Sequence, residues 1–226
     1  MLNNQRLSPP RSWSQRGLSL VELLVGITLG IFLVGGALSM LASDLKGSQQ
    51  MLLTARLNQD LRATADLVSR DLKRAGYWGN ATSGVNLSTG SSVVTSNPYN
   101  SVTTATNTIT YTYSKDTTEN NTVDSNEQFG FKLSGGAVQM QTSSGTWQSV
   151  NDTSIINITA FSITESRTAV DASGFCTTTP SSNTPTLYIR AYDVTLTGQA
   201  VSDSSITRTL VTKVRLRNDQ LTGACP

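Results

Sequence analysis

The hydrophobic pattern of the chain begins with a long apolar run behind a polar, basic N-terminus. From Leu23 to Ser43 there are 21 residues without a charged side chain. As a helix this run would be about 30 Å long, which matches the hydrocarbon core of a bilayer. A buried helix in a soluble core is the alternative, but soluble domains rarely contain so long an uncharged run. The pattern therefore predicts a transmembrane helix near the N-terminus.

Apolar positions beyond this run predict that the helix continues. They recur at steps of three and four residues and form one stripe, made by Leu53, Leu57, Leu61, Ala65, Val68 and Leu72. Gly76 ends the stripe as a C-cap glycine would, and the pair Gly35-Gly36 marks a point where the helix could bend. We expect one helix from Leu18 to about Ala75. Its first half (18–43) would span the membrane, and its amphipathic second half (44–76) would pack against a sheet.

Alternation of polar and apolar positions replaces the helical pattern in residues 77–226. TITYTY (108–113) places Ile109 and two tyrosines on one side, which is typical of a half-buried strand. QFGFKLSGGAVQMQ (128–141) predicts two strands joined by a turn at Gly135-Gly136.

Three more β-rich runs follow, at 155–163, 186–198 and 206–218, whereas the polar segment between Ala81 and Asn107 predicts a long loop. The predicted fold class is α+β, with a long N-terminal helix packed on an antiparallel sheet. Residues 77–226 would form one β-rich globular domain of ordinary size.

The composition argues against an enzyme. The chain contains no histidine, which excludes imidazole-based triads and histidine metal sites. It has no CxxC pair for zinc and no glycine-rich phosphate loop before a helix. The acids Asp116, Glu119, Asp124 and Glu127 do not have the spacing of a calcium loop, so a solvated loop explains them better. We expect no catalytic residue, no metal and no cofactor.

The charges indicate the topology of the chain in the membrane. Residues 1–17 contain Arg6, Arg11 and Arg16 and no acid, so this end should stay in the cytoplasm. The remaining side chains carry 14 basic and 15 acidic groups, and they give no sign of a nucleic-acid-binding surface. An ordinary secretory signal would end in a small-residue cleavage site after the apolar run, but here MLAS leads directly into DLKGSQQ.

The two cysteines, Cys176 and Cys225, both follow the membrane segment and would therefore lie in the exported domain. An oxidising compartment favours a disulfide between them; two unpaired thiols are the alternative. A bridge would join the segment GFCTTTPSSNTP to the C-terminus and would stabilise the fold by about 4 kcal/mol through loop closure.

The junction between the basic segment and the helix carries a specific motif. Gly17-Leu18-Ser19-Leu20-Val21-Glu22, followed by the apolar helix, resembles the processing site of type IV pilins and type II secretion pseudopilins. The resemblance implies that a prepilin peptidase cuts after Gly17, removes residues 1–17 as a leader peptide, and methylates the new amino terminus at Leu18. Most members of the family have phenylalanine where this chain has Leu18.

Glu22 then has a physical role. A carboxylate at membrane depth costs a few kcal/mol, and an ionised one needs a cationic partner. The amino terminus of a neighbouring subunit would supply that cation, and the pair would set the axial register of assembly. The alternative is that Glu22 only extends to the cytoplasmic interface.

Two later segments narrow the resemblance. RDLKRAGYWGN (70–80) and VRLRN (214–218) are similar to PilW-type minor pilins, and J-type pseudopilins are nearly as close. Independently of the resemblance, we expect Tyr77 and Trp78 to cover the end of the helix as core aromatics.

The resemblance implies a minor pilin that helps to start type IV pilus assembly and lies at or near the tip. Its partners would be other minor pilins and pilin subunits, the prepilin peptidase, the inner-membrane assembly machinery, and an adhesin where the tip carries one. It would span the inner membrane once, with its C-terminal domain in the periplasm, and later reach the cell surface in the pilus. A type II secretion pseudopilin is the first alternative, and a bitopic membrane ligand sensor is the second.

Overall fold

A computed structural model describes residues 17, 19–84, 97–223 and 225. The leader residues 1–16, Leu18 and part of the predicted 81–107 loop lie outside the described residues. The chain divides into two units, Met1–Gln49 and Gln50–Pro226, and each is described by itself. One helix, α1 (Leu20–Leu72), contributes residues to both.

The first unit contains the apolar part of α1. Among the described residues, α1 alone is long and apolar enough to cross a membrane, with a mean hydropathy of 2.2 in its most apolar 18-residue window, and that window is not buried at all. The helix passes through Gly35 and Gly36 without interruption, and a bend at this pair stays a prediction. Apart from its chain neighbours and the backbone of its own helix, neither glycine has an atom within 4 Å of the position that a Cβ would occupy.

The second unit confirms the predicted stripe. Leu57, Leu61, Ala65, Val68 and Leu72 are buried. The α-helix ends at Leu72, slightly before the expected Ala75, and a turn follows. Gly76 lies at the end of that turn with φ of +75°, a left-handed conformation that favours glycine.

Within the described residues, nine strands and a short helix follow α1. They are α2 (Ala81–Gly84), β1 (Val102–Ala105), β2 (Thr108–Thr112), β3 (Gln128–Ser134), β4 (Ala137–Ser143), β5 (Thr146–Ser149), β6 (Ile156–Asp171), β7 (Thr186–Ala200), β8 (Thr207–Arg215) and β9 (Gln220–Thr222). Single 3-10 turns occur at Ser125–Glu127 and Ser173–Phe175.

The strands form two antiparallel sheets where the sequence predicted one. The first sheet has the order β1-β2-β3-β4-β5, and the second has the order β6-β7-β8, with β9 also paired to β7. Gly135 and Gly136 both have positive φ, 59° and 77°, as a two-residue hairpin turn requires. The loop predicted between residues 81 and 107 is partly wrong, because it contains α2 and β1.

The core lies between the buried stripe of α1 and the inner faces of both sheets. Buried positions alternate along β2 and β7. The buried core residues of the two sheets include Ile109, Tyr111, Phe131, Val138, Ile158, Phe161, Tyr192, Val194, Leu196 and Val214. Gly198 of β7 lies directly below the helix: a Cβ there would be 3.2 Å from Leu61 Cδ2 and 3.3 Å from Leu57 Cδ1. The missing side chain lets the helix approach the sheet closely.

Candidate functional site

The predicted processing site lies at the start of α1. Gly17 is exposed and has no other atom within 4 Å of the position of a Cβ. The carbonyl of Ser19 accepts a hydrogen bond from Leu23 N at 3.0 Å, so regular helix begins within a few residues of Gly17. Leu18, the residue expected to carry the new terminus and the methyl group, lies outside the described residues.

Glu22 occupies the first turn of α1, and its side chain is exposed. The N-terminal end of a helix favours an anion, because its free N–H groups carry partial positive charge. Among residues 17, 19–84, 97–223 and 225, no lysine or arginine forms an ion pair with Glu22 within 4.0 Å. The carboxylate therefore has no ion-pair partner among the described residues.

The apolar part of α1 satisfies its own polar side chains. Thr28 Oγ1 donates to the carbonyl of Val25 at 2.9 Å, and Ser39 Oγ donates to the carbonyl of Gly35 at 2.9 Å. Hydroxyls bonded to their own helix backbone do not need water. The surface that remains is apolar and exposed, which suits lipid or the packing of other helices.

At the other end of α1, Asp71 anchors the helix to the first sheet. Its Oδ2 accepts a hydrogen bond from Tyr111 OH at 2.6 Å, and its Oδ1 accepts one from Tyr113 OH at 3.3 Å. Arg74 Nη1 lies 3.4 Å from the same carboxylate, and its guanidinium lies 4.2 Å above the centre of the Tyr113 ring. Burial and the charge of Asp71 raise the pKa of both tyrosines.

A second carboxylate, Glu119, joins the loop after β2 to neighbouring segments. It accepts a hydrogen bond from Tyr99 OH at 2.8 Å and a short one from Ser114 Oγ. Partial burial alone would raise the pKa of Glu119, but the hydrogen bonds from Ser114 and Tyr99 outweigh it, and the pKa falls below its usual value. The geometry holds an ionised carboxylate in place.

The acidic loop after β2 is largely the solvated loop that the sequence predicted, but one of its four acids is not solvated. Glu127 is fully buried, and its carboxylate accepts hydrogen bonds from the backbone N–H groups of Lys115 and Asp124 at 2.8 and 3.0 Å. Carboxylate oxygens of Asp116, Asp124 and Glu127 lie within 4.8 Å of one another. These are the residues that could hold a metal, although both oxygens of Glu127 already brace the loop.

The structure pairs Cys176 with Cys225 in a disulfide, with a Cα–Cα distance of 5.4 Å. The bridge joins the segment between β6 and β7 to the residues after β9. The two aromatic residues at the end of α1 differ, however: Trp78 is buried and donates from Nε1 to Asn121 Oδ1 at 2.8 Å, whereas Tyr77 is 51% exposed. The expectation that both would be core aromatics is wrong for Tyr77.

The carboxylate–tyrosine contacts were not predicted from the sequence. A partial signal was present, because alternation places Tyr111 and Tyr113 on one side of β2 and the helical stripe ends next to Asp71. Asp71 and Tyr111 are 40 residues apart in the chain, so no local sequence pattern predicts that the end of the helix meets this strand.

Comparison with known proteins adds independent information about the second unit. The model of the family described as prepilin peptidase-dependent protein B matches residues 50–216. Comparisons with curated proteins and with solved structures found no match. The matched segment covers well over half of the chain and contains the second half of α1 and strands β1 to β8. The chain therefore belongs to the family of prepilin peptidase-dependent protein B.

Proposed function

We propose that this protein is a minor pilin, a structural subunit that helps to start type IV pilus assembly at the inner membrane and lies at or near the pilus tip. The observation that carries the proposal is the agreement of two separate segments. The processing motif occupies Gly17 to Glu22, and the family match covers residues 50–216. Since the two do not overlap, neither is a consequence of the other.

The mechanism begins with removal of residues 1–17 by the prepilin peptidase, which frees the amino group of Leu18. The apolar part of α1 then holds the subunit in the membrane and afterwards packs among the helices of neighbouring subunits. An exposed Glu22 without a cation among the described residues would pair with the amino terminus of a neighbour. In a medium of low dielectric constant, such a pair is strongly favoured over either charge alone.

The second unit would supply the surface that recognises partner subunits. Its disulfide suits an oxidising compartment such as the periplasm, and the basic leader suits a cytoplasmic N-terminus. Other minor pilins, pilin subunits and the inner-membrane assembly machinery are the partners that follow from this arrangement.

The first test is the cleavage. Mass spectrometry of the N-terminal peptide from assembled protein should find a chain that begins at Leu18, with or without a methyl group. Gly17→Val should block the cut, because a Cβ branch at this position would obstruct the peptidase, and the variant should keep its leader. A full-length leader in wild-type protein from the assembled fraction would contradict the proposal.

The second test concerns Glu22. Glu22→Ala should leave an inserted, folded protein that recovers fewer partner minor pilins on co-purification and supports fewer pili. Asp44→Ala is the matched control, because it removes one exposed acid from the same helix and should change neither quantity. Unchanged partner recovery with Glu22→Ala would show that the carboxylate has no necessary role in assembly.

A deletion strain separates the pilus from the related secretion machine. Loss of pili with normal protein secretion is the result we expect. Loss of secretion with normal pili would assign the chain to a type II secretion pseudopilus instead.

A further inference from the structure

A basic surface pocket of about 260 Å³ lies beside the C-terminal end of α1. It is lined by Lys73, Arg74, Tyr77, Ser114, Arg217 and Asn218. These residues come from three distant parts of the chain: the end of the helix, the end of β2 and the segment after β8. We call this feature the basic pocket.

Backbone contacts hold the walls of the basic pocket together. Arg217 N donates to the carbonyl of Lys73 at 3.3 Å, and Ser114 N donates to the carbonyl of Tyr77 at 2.8 Å. Asn218 Nδ2 donates to the carbonyl of Ala75 at 3.1 Å. The pocket is therefore organised before any ligand arrives, which lowers the entropic cost of binding.

The basic pocket has more positive than negative charge. Within the part of the chain that the structure describes, Lys73 and Arg217 are exposed and form no ion pair within 4.0 Å. Arg74 is paired with Asp71 at 3.4 Å. A fourth cation, Arg190, is buried behind the pocket and donates from Nη2 to the carbonyl of Asn218 at 3.2 Å.

Capping of α1 does not account for these cations. The last helical carbonyls already accept other donors, since Arg74 N binds that of Asp71 at 2.9 Å and Ala75 N binds that of Leu72 at 3.0 Å. In the turn that follows, Arg217 N binds the carbonyl of Lys73. Asn97 Nδ2 binds the carbonyl of Gly76 at 2.7 Å. The helix macrodipole attracts Lys73 and Arg74, but it does not explain why the chain after β8 adds Arg217 to the same pocket.

We infer that the basic pocket binds the carboxylate of an acidic segment on a partner protein. Its volume lies below the usual range for whole small-molecule ligands, and it matches one side-chain or terminal carboxylate with the half-exposed ring of Tyr77 against the stem. The three cations Lys73, Arg74 and Arg217 line one pocket, whereas a nucleic acid needs a basic track along its backbone. The inference goes beyond the proposed function and does not depend on it.

The test uses the full chain in nanodiscs of neutral phosphatidylcholine, at low salt. The probe is a fluorescein-labelled Glu-rich peptide, and its Gln-substituted version is the control ligand. Fluorescence anisotropy should detect binding of the acidic peptide only. The double variant Lys73→Gln/Arg217→Gln should weaken binding by about tenfold or more, as loss of charge-assisted hydrogen bonds does.

Arg208→Gln/Lys213→Gln is the matched control, because it removes two exposed cations of β8 that do not line the pocket. It should change affinity less than about twofold, as expected for screened surface charges. Equal weakening by both double variants would overturn the inference, because the peptide would then sense only overall charge.

Two further results would also decide the matter. If a short single-stranded oligonucleotide bound more tightly than the acidic peptide, and lost affinity in the Lys73→Gln/Arg217→Gln variant, the ligand of the pocket would be nucleic-acid phosphate and the inference would be overturned. A lower melting temperature in the double variant with unchanged peptide affinity would assign Lys73 and Arg217 to helix stability alone. If the double variant does not fold, Lys73→Gln by itself carries the same comparison, since its side chain is exposed.

Discussion

Asp71 is the residue that couples the end of α1 to the first sheet. Its carboxylate is buried and accepts its shortest hydrogen bond, 2.6 Å, from Tyr111 OH. Tyr111→Phe removes this donor and leaves a buried anion less satisfied, so the free energy of unfolding should fall by about 1.5–3 kcal/mol. Urea denaturation of the purified chain measures the change.

Tyr77→Phe is the control for this variant. Tyr77 is 51% exposed, so the loss of its hydroxyl should change the free energy of unfolding by less than about 0.5 kcal/mol. If the two variants unfold at the same urea concentration, the hydrogen bond to Asp71 does not stabilise the fold.

Four buried tyrosines make the fold sensitive to alkali. Burial, followed by nearby carboxylates, raises the pKa of Tyr192 to about 12 and also raises the pKa of Tyr99, Tyr111 and Tyr113 well above its usual value. Because the folded pKa lies above the unfolded one, this contribution to stability is complete below pH 10 and is lost as the pH rises through about 12.

Unfolding free energies measured by urea denaturation at increasing pH should therefore stay level up to about pH 10 and fall above it, from the tyrosine contribution. Tyrosinate absorbance should show these four phenols ionising only as the native circular dichroism is lost. Their complete ionisation in a chain that keeps its native spectrum would contradict the prediction.

At the scale of elements, the close packing of α1 on β7 depends on Gly198. A Cβ at this position would be 3.2 Å from both Ile158 Cδ1 and Leu61 Cδ2, and further branch atoms would push into the same side chains. Gly198→Val should therefore lower the free energy of unfolding by about 1–3 kcal/mol through overpacking. Thermal and urea unfolding both report this change.

Gly174→Val separates overpacking from the general effect of replacing a glycine. Gly174 lies in a 3-10 turn with no atom within 4 Å of the position of a Cβ, so valine meets open space there. A loss of stability as large as that of Gly198→Val would show that helix–sheet contact is not the cause.

At the scale of the whole molecule, the disulfide joins the segment between β6 and β7 to the residues after β9. Cys176 and Cys225 are 49 positions apart, and the bridge restricts the unfolded chain across that distance. Replacing both residues by serine should lower the free energy of unfolding by about 2–4 kcal/mol. The wild-type chain should show the same loss when a reductant is added, and the double variant should not respond to it.

The compartment can be tested with the same residues. In protein recovered from the periplasm or from filaments, neither thiol should react with an alkylating reagent until a reductant is added. If both cysteines were alkylated without reduction, the disulfide would not have formed, and the prediction of an oxidising compartment would be wrong.

Local periodicity was enough to predict much of this fold. The apolar run, the buried stripe from Leu57 to Leu72 and the hairpin at Gly135-Gly136 each follow from residues a few positions apart. Helical and strand periods, and the demand of a tight turn for glycine, are properties of neighbouring residues. The candidate site was predicted for the same reason, because Gly17, Leu18 and Glu22 belong to one short motif.

Tertiary structure alone decided how the strands are distributed. The sequence predicted one sheet, but β1 to β5 and β6 to β9 form two. It also predicted β6 only as far as Ile163, whereas the strand continues to Asp171 through residues that are exposed on both faces. Pairing with β7 stabilises the extended strand from Ile156 to Asp171, with one bulge in the register. The residues of β6 alone do not show which strand will pair with it.

The same limit applies to the charged groups. Glu127 and Asp71 are ordinary acids in the sequence, but both are buried and hydrogen-bonded in the fold. The basic pocket is lined by residues that lie between positions 73 and 218 of the chain, and no local sequence pattern connects them. The sequence determined the helix and its membrane-length apolar run, and it contains the predicted processing motif, because those depend on neighbouring residues. The fold decided sheet membership, buried carboxylates and the basic pocket because those depend on which distant segments meet.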